Sequence, residues 1–210
     1  MQEETSDNIS VELLSFNNLS LEGYPLVLDN YQRAYVWGVD KVIQLLNDLL
    51  SFIQESEVED AYYMGTLLLH KKIGEKQKVL CVIDGQQRLT SLAVLYWLLN
   101  KQLPTHIQFS FRSSRSMANF QQAKQTIQHW LAENNLEIDK LVGVFDRLRF
   151  TVIIVTREDL AFTFFDTQNN RGVPLGSTDL LKSFHLRAIH SDDAQIDELL
   201  QSHCASRWEK

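Results

Sequence analysis

The sequence predicts an α+β fold: a small mixed sheet with helices over residues 9–112, then a mainly helical part over residues 113–210, read as one continuous domain behind a flexible tail at residues 1–8. Three observations point there. Short strand-like runs (Tyr62 to His70, Lys78 to Ile83, and Phe150 to Val155, the last rich in β-branched residues) alternate with stretches of helical apolar spacing. A chain of 210 residues is long enough to bury one sizeable core. Hydrophobic and charged fractions of 44% and 22% are those of an ordinary globular protein.

Taken in order, Ile9 to Phe16 is a short helix candidate with Ser10 as its cap, and Tyr24 to Leu28 is an extended segment broken by Pro25. Val42, Leu45, Leu46, Leu49, Leu50 and Ile53 mark the inner face of an amphipathic helix of about four turns. Acidic residues from Glu55 to Asp60 follow as a solvated loop. The runs Tyr62–His70 and Lys78–Ile83 are expected to form a hairpin. The basic residues of its tip (71–77) read as a soluble turn, with nucleic-acid contact as the alternative. Leu89, Leu92, Ala93, Tyr96 and Leu99 define the buried face of the next helix. Thr105 to Phe111 suggests an edge strand, Ser116 to Glu133 and Glu137 to Leu148 two helices, and Phe150 to Val155 a buried strand. Glu158 to Asp166 is helical, and Thr178 to His190 and Asp193 to Trp208 form a last helical pair. No Gly or Pro stop signal marks the final residues, which leaves open a continuation past Lys210.

No apolar run approaches the ~20 residues of a membrane span, and the acidic N-terminus is no secretory signal, so a cytoplasmic protein is expected. Cys81 lies in an apolar run far in sequence from Cys204, which favours a buried thiol over a disulfide. A net charge of −7 argues against a whole surface that grips nucleic acid, though not against a local basic groove. Arg112, Arg115, Arg147 and Arg149 are scattered candidates for one, with ordinary surface arginines as the plainer reading.

The most informative stretch is Val82 to Thr90, in which an apolar run stops at Asp84-Gly85 and enters a helix through Gln86, Gln87 and Arg88. A strand that ends in Gly and opens a helix points free N–H groups and the positive helix end at one spot. An arginine in the first turn adds a planar cation suited to phosphate. The plainer alternative is a capping box, with Asp84 as N-cap and Gln87 reaching back.

Residues 84–92 resemble the DGQQR box of the GmrSD-type restriction system N-terminal domain, within the ParB/sulfiredoxin-like superfamily. Two further stretches agree in the family's order: Tyr31-Gln32-Arg33-Ala34-Tyr35-Val36-Trp37, and residues 165–175 followed by Asp179-Leu180-Leu181-Lys182. The resemblance implies a ParB/sulfiredoxin-like sheet and an NTP site with Mg2+. Arg33, Gly85, Arg88, Asn169, Arg171 and Lys182 would bind the nucleotide phosphates. Asp84, Gln86, Gln87 and Arg88 would act in catalysis, and Asp84 and Asp179 would hold Mg2+. Chemically, Gly85 lets backbone approach a ligand, Arg88 neutralises phosphate, and a glutamine amide both donates and accepts to orient water. The plainer readings are that Tyr31, Tyr35 and Trp37 are core aromatics, and that the third stretch is a turn and a capped helix. Leu28-Asp29-Asn30 stands where the family commonly has a proline, Gln168 where an apolar residue is usual, and Ser183 where an asparagine often follows; these departures concern backbone shape more than charge.

The resemblance implies a regulatory domain that binds and hydrolyses an NTP in a modification-dependent, phage-defence DNA restriction system. DNA and an HNH-type nuclease domain, in this chain or a partner, would be its partners. The six histidines form no HNH-like pattern, and no Walker A loop or zinc spacing is found. Two alternatives stand beside this reading: a non-catalytic ParB-like, nucleotide-switched DNA-binding or adaptor module, and a DNA nickase in its own right.

Overall fold

The computed structural model describes residues 8–20, 23–28, 34–57, 59–74, 78–111, 113–134, 138–169, 200 and 203–204, with backbone only at 138–139, 162 and 165–169. Among the described residues, five strands form one mixed sheet: β1 (Ile9–Ser15), β2 (Leu26–Leu28), β3 (Tyr62–Ile73), β4 (Lys78–Asp84) and β5 (Leu148–Val155), in the order β1-β5-β3-β4-β2. β3 and β4 are the expected antiparallel hairpin. β5 runs parallel to β3, β1 antiparallel to β5, and β2 parallel to β4. The α+β class is therefore as predicted. β5, from the second half of the chain, lies inside the sheet that the first half builds.

The helices are α1 (Val39–Glu55), α2 (Gln86–Asn100), α3 (Ser114–Glu133), the short α4 (Ile138–Val142) and α5 (Glu158–Asn169). α1 buries Val42, Leu45, Leu46, Leu49 and Ile53, as its spacing predicts. α2 is the central helix: from Gln86 to Leu95 every side chain except Arg88 is buried. Ser113 caps α3 by accepting from the Ser116 N–H.

Several expectations are corrected. Residues 9–15 form an edge strand, not a helix, because Ile9, Val11 and Leu13 alternate with period two and the segment finds a ladder on β5. Residues 105–111 contribute only an isolated bridge between Ile107 and Leu26. The helix expected over 137–148 is cut to α4 and a 3₁₀ turn at Gly143–Asp146, since Leu148 is already needed in β5 beside Tyr62. β3 continues to Ile73, so Lys71 and Lys72 belong to the strand rather than to its turn. The helical pair expected beyond residue 178 lies outside the described residues apart from Leu200, His203 and Cys204.

One sheet face carries the main core, in which Leu67, Leu69, Leu80, Val82, Phe150 and Val152 meet α1, α2 and α3. On the other face Leu68, Ile83 and Val155 pack with Ala161 of α5, a helix that touches β3, β4 and β5. Between these two faces, β4 hands over to α2 at Asp84 to Gln86.

Candidate functional site

The backbone turns at Gly85, with φ of 96°. A Cβ there would fall far inside van der Waals contact of Leu67 Cδ2, so both the conformation and the space require glycine. Gly85 is the N-cap of α2, and no side chain caps it. The capping-box alternative is thus overturned: Asp84 is the last residue of β4, one position too early to cap.

Gln87 is also turned elsewhere. Its Oε1 accepts from the N–H groups of Val36 (2.8 Å) and Trp37 (3.1 Å), while Nε2 donates to the Ala34 carbonyl (3.1 Å). One buried amide therefore ties the second sequence box to the end of the first. The same segment is fixed again through Tyr35. Its N–H donates to Ser116 Oγ (3.0 Å), its carbonyl accepts from Asn119 Nδ2 (2.8 Å), and its hydroxyl meets Ser91 Oγ (2.8 Å). Tyr35 is fully buried, the core aromatic that the plainer reading expected, and burial pushes its pKa up to about 12. Trp37 is half-buried. Arg33 lies outside the described residues, one position before the Ala34 that Gln87 holds.

Arg88 is the one partly exposed side chain in the first turns of α2, at 24%. Its Nη1 donates to the Met64 carbonyl and its Nη2 to that of Thr66 (2.7 Å). Both carbonyls belong to β3 where a bulge between Tyr63 and Gly65 interrupts the register with β5. The guanidinium lies against Gly65, whose φ is 98° and whose Cβ, were there one, would collide with Nη1. Asp84 Oδ2 is 3.9 Å from Nη2, and its side chain is 42% exposed. Burial draws the Arg88 pKa below its ordinary value, while Asp84 and then Tyr63 oppose that shift.

Sequence reasoning misses Tyr63. Its ring is exposed and its hydroxyl bonds Thr151 Oγ1 at 3.0 Å. Hydrogen bonds from Thr151 and Thr66 draw its pKa below the usual phenol value, and the Arg88 charge acts in the same direction against a small burial effect. Gly65 inside an apolar run was the one visible signal, because a strand glycine marks a bulge or a close approach. Nothing in the sequence links Tyr63 to Thr151, which the ladder alone brings together.

Gln86 is buried, and among the described residues its Oε1 has no hydrogen-bond partner; Thr90 Oγ1 is in the same state. A buried polar atom left so costs about 1–3 kcal/mol. Asn169 is the last residue of α5, a helix held against the strand that ends in Asp84. Arg171, Asp179 and Lys182 lie outside the described residues. Among the described residues no group of three or more His, Cys, Asp or Glu side chains is arranged to hold a metal ion. Two of the scattered arginines have structural partners: Arg147 reaches the Asp60 and Glu57 carbonyls and Ser56 Oγ, and Arg149 bonds the Asp146 carbonyl. Arg112 lies outside the described residues and Arg115 is exposed.

No helix among the described residues is long and apolar enough to cross a membrane. No curated protein matches the chain. The family described as "GmrSD restriction endonuclease, N-terminal domain" matches residues 12–186, a span that includes all three sequence boxes. The chain belongs to the N-terminal domain family of the GmrSD restriction endonuclease.

Proposed function

We propose that this domain binds a nucleoside triphosphate at the start of α2 and hydrolyses it, as the regulatory part of a modification-dependent, phage-defence restriction system. The observation that carries the reading is the helix start itself. Gly85 opens α2 without a side-chain cap, and the first turn adds a guanidinium to N–H groups that favour an anion. Arg88 is pre-oriented by its two carbonyl partners, so it would meet phosphate without losing side-chain freedom. Tyr63 adds a second polar group whose acidity is raised on the same side of β3 as its threonine partners.

Mg2+ suits this donor set only as a partner of the nucleotide. Asp84 is a half-exposed carboxylate within reach of the Arg88 head group, and one or two carboxylates plus phosphate oxygens are a usual Mg2+ shell. The ion would offset phosphate charge. Asp84 would hold it, and Gly85 would let the phosphates come close. Arg33, Asn169, Arg171, Asp179 and Lys182 would complete the site. An HNH-type nuclease domain, in the same or a partner chain, and DNA are the proposed partners.

One observation favours the runner-up, a nucleotide switch without turnover. The Gln87 amide is committed to three hydrogen bonds within the fold, which leaves Gln86 as the amide available to orient water. Phosphate release separates the two readings. Hydrolysis of one NTP with Mg2+, lost in Asp84→Asn and Gln86→Leu, is the expected result. Tight binding without phosphate release would make the domain a switch.

A further inference from the structure

We propose that the far end of the β3–β4 hairpin, built from Lys71, Lys72, Lys78 and Tyr24, is a contact surface for the phosphate backbone of duplex DNA. The inference rests on the DNA partner proposed above and adds where that partner is held. Residues 71–78 hold four lysines against one glutamate, and no other eight-residue stretch of the chain carries as much net positive charge. In a chain of net charge −7 a polyanion is repelled by most of the surface, so its contact must be local.

The fold concentrates this charge further. Lys78 pairs with Ile73 across the hairpin and Lys71 lies two residues along the same strand, so both project from one face. Their ammonium groups come to 5.1 Å and 5.8 Å from the centroid of the same Tyr24 ring. Lys72 projects to the opposite face, so the strand presents cations on both sides of its end. Lysines bond phosphate oxygens without reading sequence, and two-stranded ribbons are among the elements that dock on duplex DNA.

The test is fluorescence anisotropy of the chain with a labelled ~20-base-pair duplex over a salt series. Lys71→Gln/Lys72→Gln/Lys78→Gln is compared with Lys41→Gln on α1, and unfolding temperatures confirm that each variant is folded. The expected result is a salt slope of log K lower by about 2–3 in the triple variant, at roughly 0.9 per phosphate contact, with Lys41→Gln unchanged. Binding by the parent chain with an unaltered slope in the triple variant would overturn the hairpin assignment and leave the DNA reading standing. A parent chain that binds no duplex at low salt would overturn both.

Discussion

The strand β4 runs between two polar ends that use positive charge in opposite ways. At its C-terminal end the Arg88 guanidinium is held by the Met64 and Thr66 carbonyls with Asp84 beside it, and it is three-quarters covered. At its N-terminal end Lys71 and Lys78 rest over the Tyr24 ring with their flexible stems. The first arrangement fixes one cation at one point, which suits recognition of a single phosphate group. The second spreads several cations over a ribbon, which suits a repeating backbone. The difference teaches that charge alone does not mark a site; what the protein hydrogen-bonds around the charge decides its role.

The comparison breaks most readily at Gly65. In Gly65→Ala a Cβ would displace the guanidinium from two carbonyls at a backbone angle that L side chains rarely adopt. Lost charge-assisted hydrogen bonds and backbone strain together are expected to cost about 4 kcal/mol, read as a lower denaturant midpoint with unchanged slope. A change under about 1 kcal/mol would show that Arg88 is not anchored there.

Gln87→Leu comes next. It leaves two N–H groups and one carbonyl without their amide, at a cost of about 3 kcal/mol and a fall of roughly 6–12 °C in Tm. A neutral substitution would mean that the first two boxes are not coupled through this side chain.

The smallest expected effect is on pH dependence, at the lysine end of the sheet. His106 is buried with its edge against Phe16, its carbonyl accepts from Leu26 of β2, and burial lowers its pKa to about 4. The unfolded chain takes up this proton near pH 6.5 and the folded one only near 4. Its contribution is therefore complete above pH 6.5 and is lost as pH falls toward 4. About 2 kcal/mol should go between pH 6.5 and 5, and less in His106→Phe, as followed by denaturant unfolding at each pH. Identical pH profiles in the two proteins would contradict the buried neutral imidazole.

Much of this is legible in the sequence because it is local. The α1 face follows from its period, the β3–β4 hairpin from two apolar runs either side of a charged turn, and the Asp84-Gly85 turn into a helix is visible as such. What stays hidden depends on contacts distant in sequence. The strand β1 cannot be told from a helix without its partner β5. Asp84 reads as a possible cap because only the φ of Gly85 shows where the helix starts. The amide of Gln87 has an evident hydrogen-bonding capacity, but its partners lie about fifty residues upstream, so a catalytic role and a structural one read alike. Tyr63 and Thr66 meet Arg88, and Thr151 meets Tyr63, only because β3 lies between β4 and β5.

The central claim is a Mg2+-assisted nucleotide site at the start of α2. It is tested most directly by thermal unfolding of the chain with ATP, GTP, CTP and UTP, each with and without Mg2+, beside Asp84→Asn. Arg88→Ala is the poorer probe, because it also releases the carbonyls of β3. A ligand at about 100 times its Kd should add roughly 2.7 kcal/mol, a rise of about 5–10 °C. The account predicts that rise for one nucleotide with Mg2+, with the Mg2+-dependent part lost in Asp84→Asn when each shift is taken from that protein's own ligand-free Tm. No shift with any nucleotide at millimolar concentration, or a shift indifferent to both Mg2+ and Asp84, would contradict it.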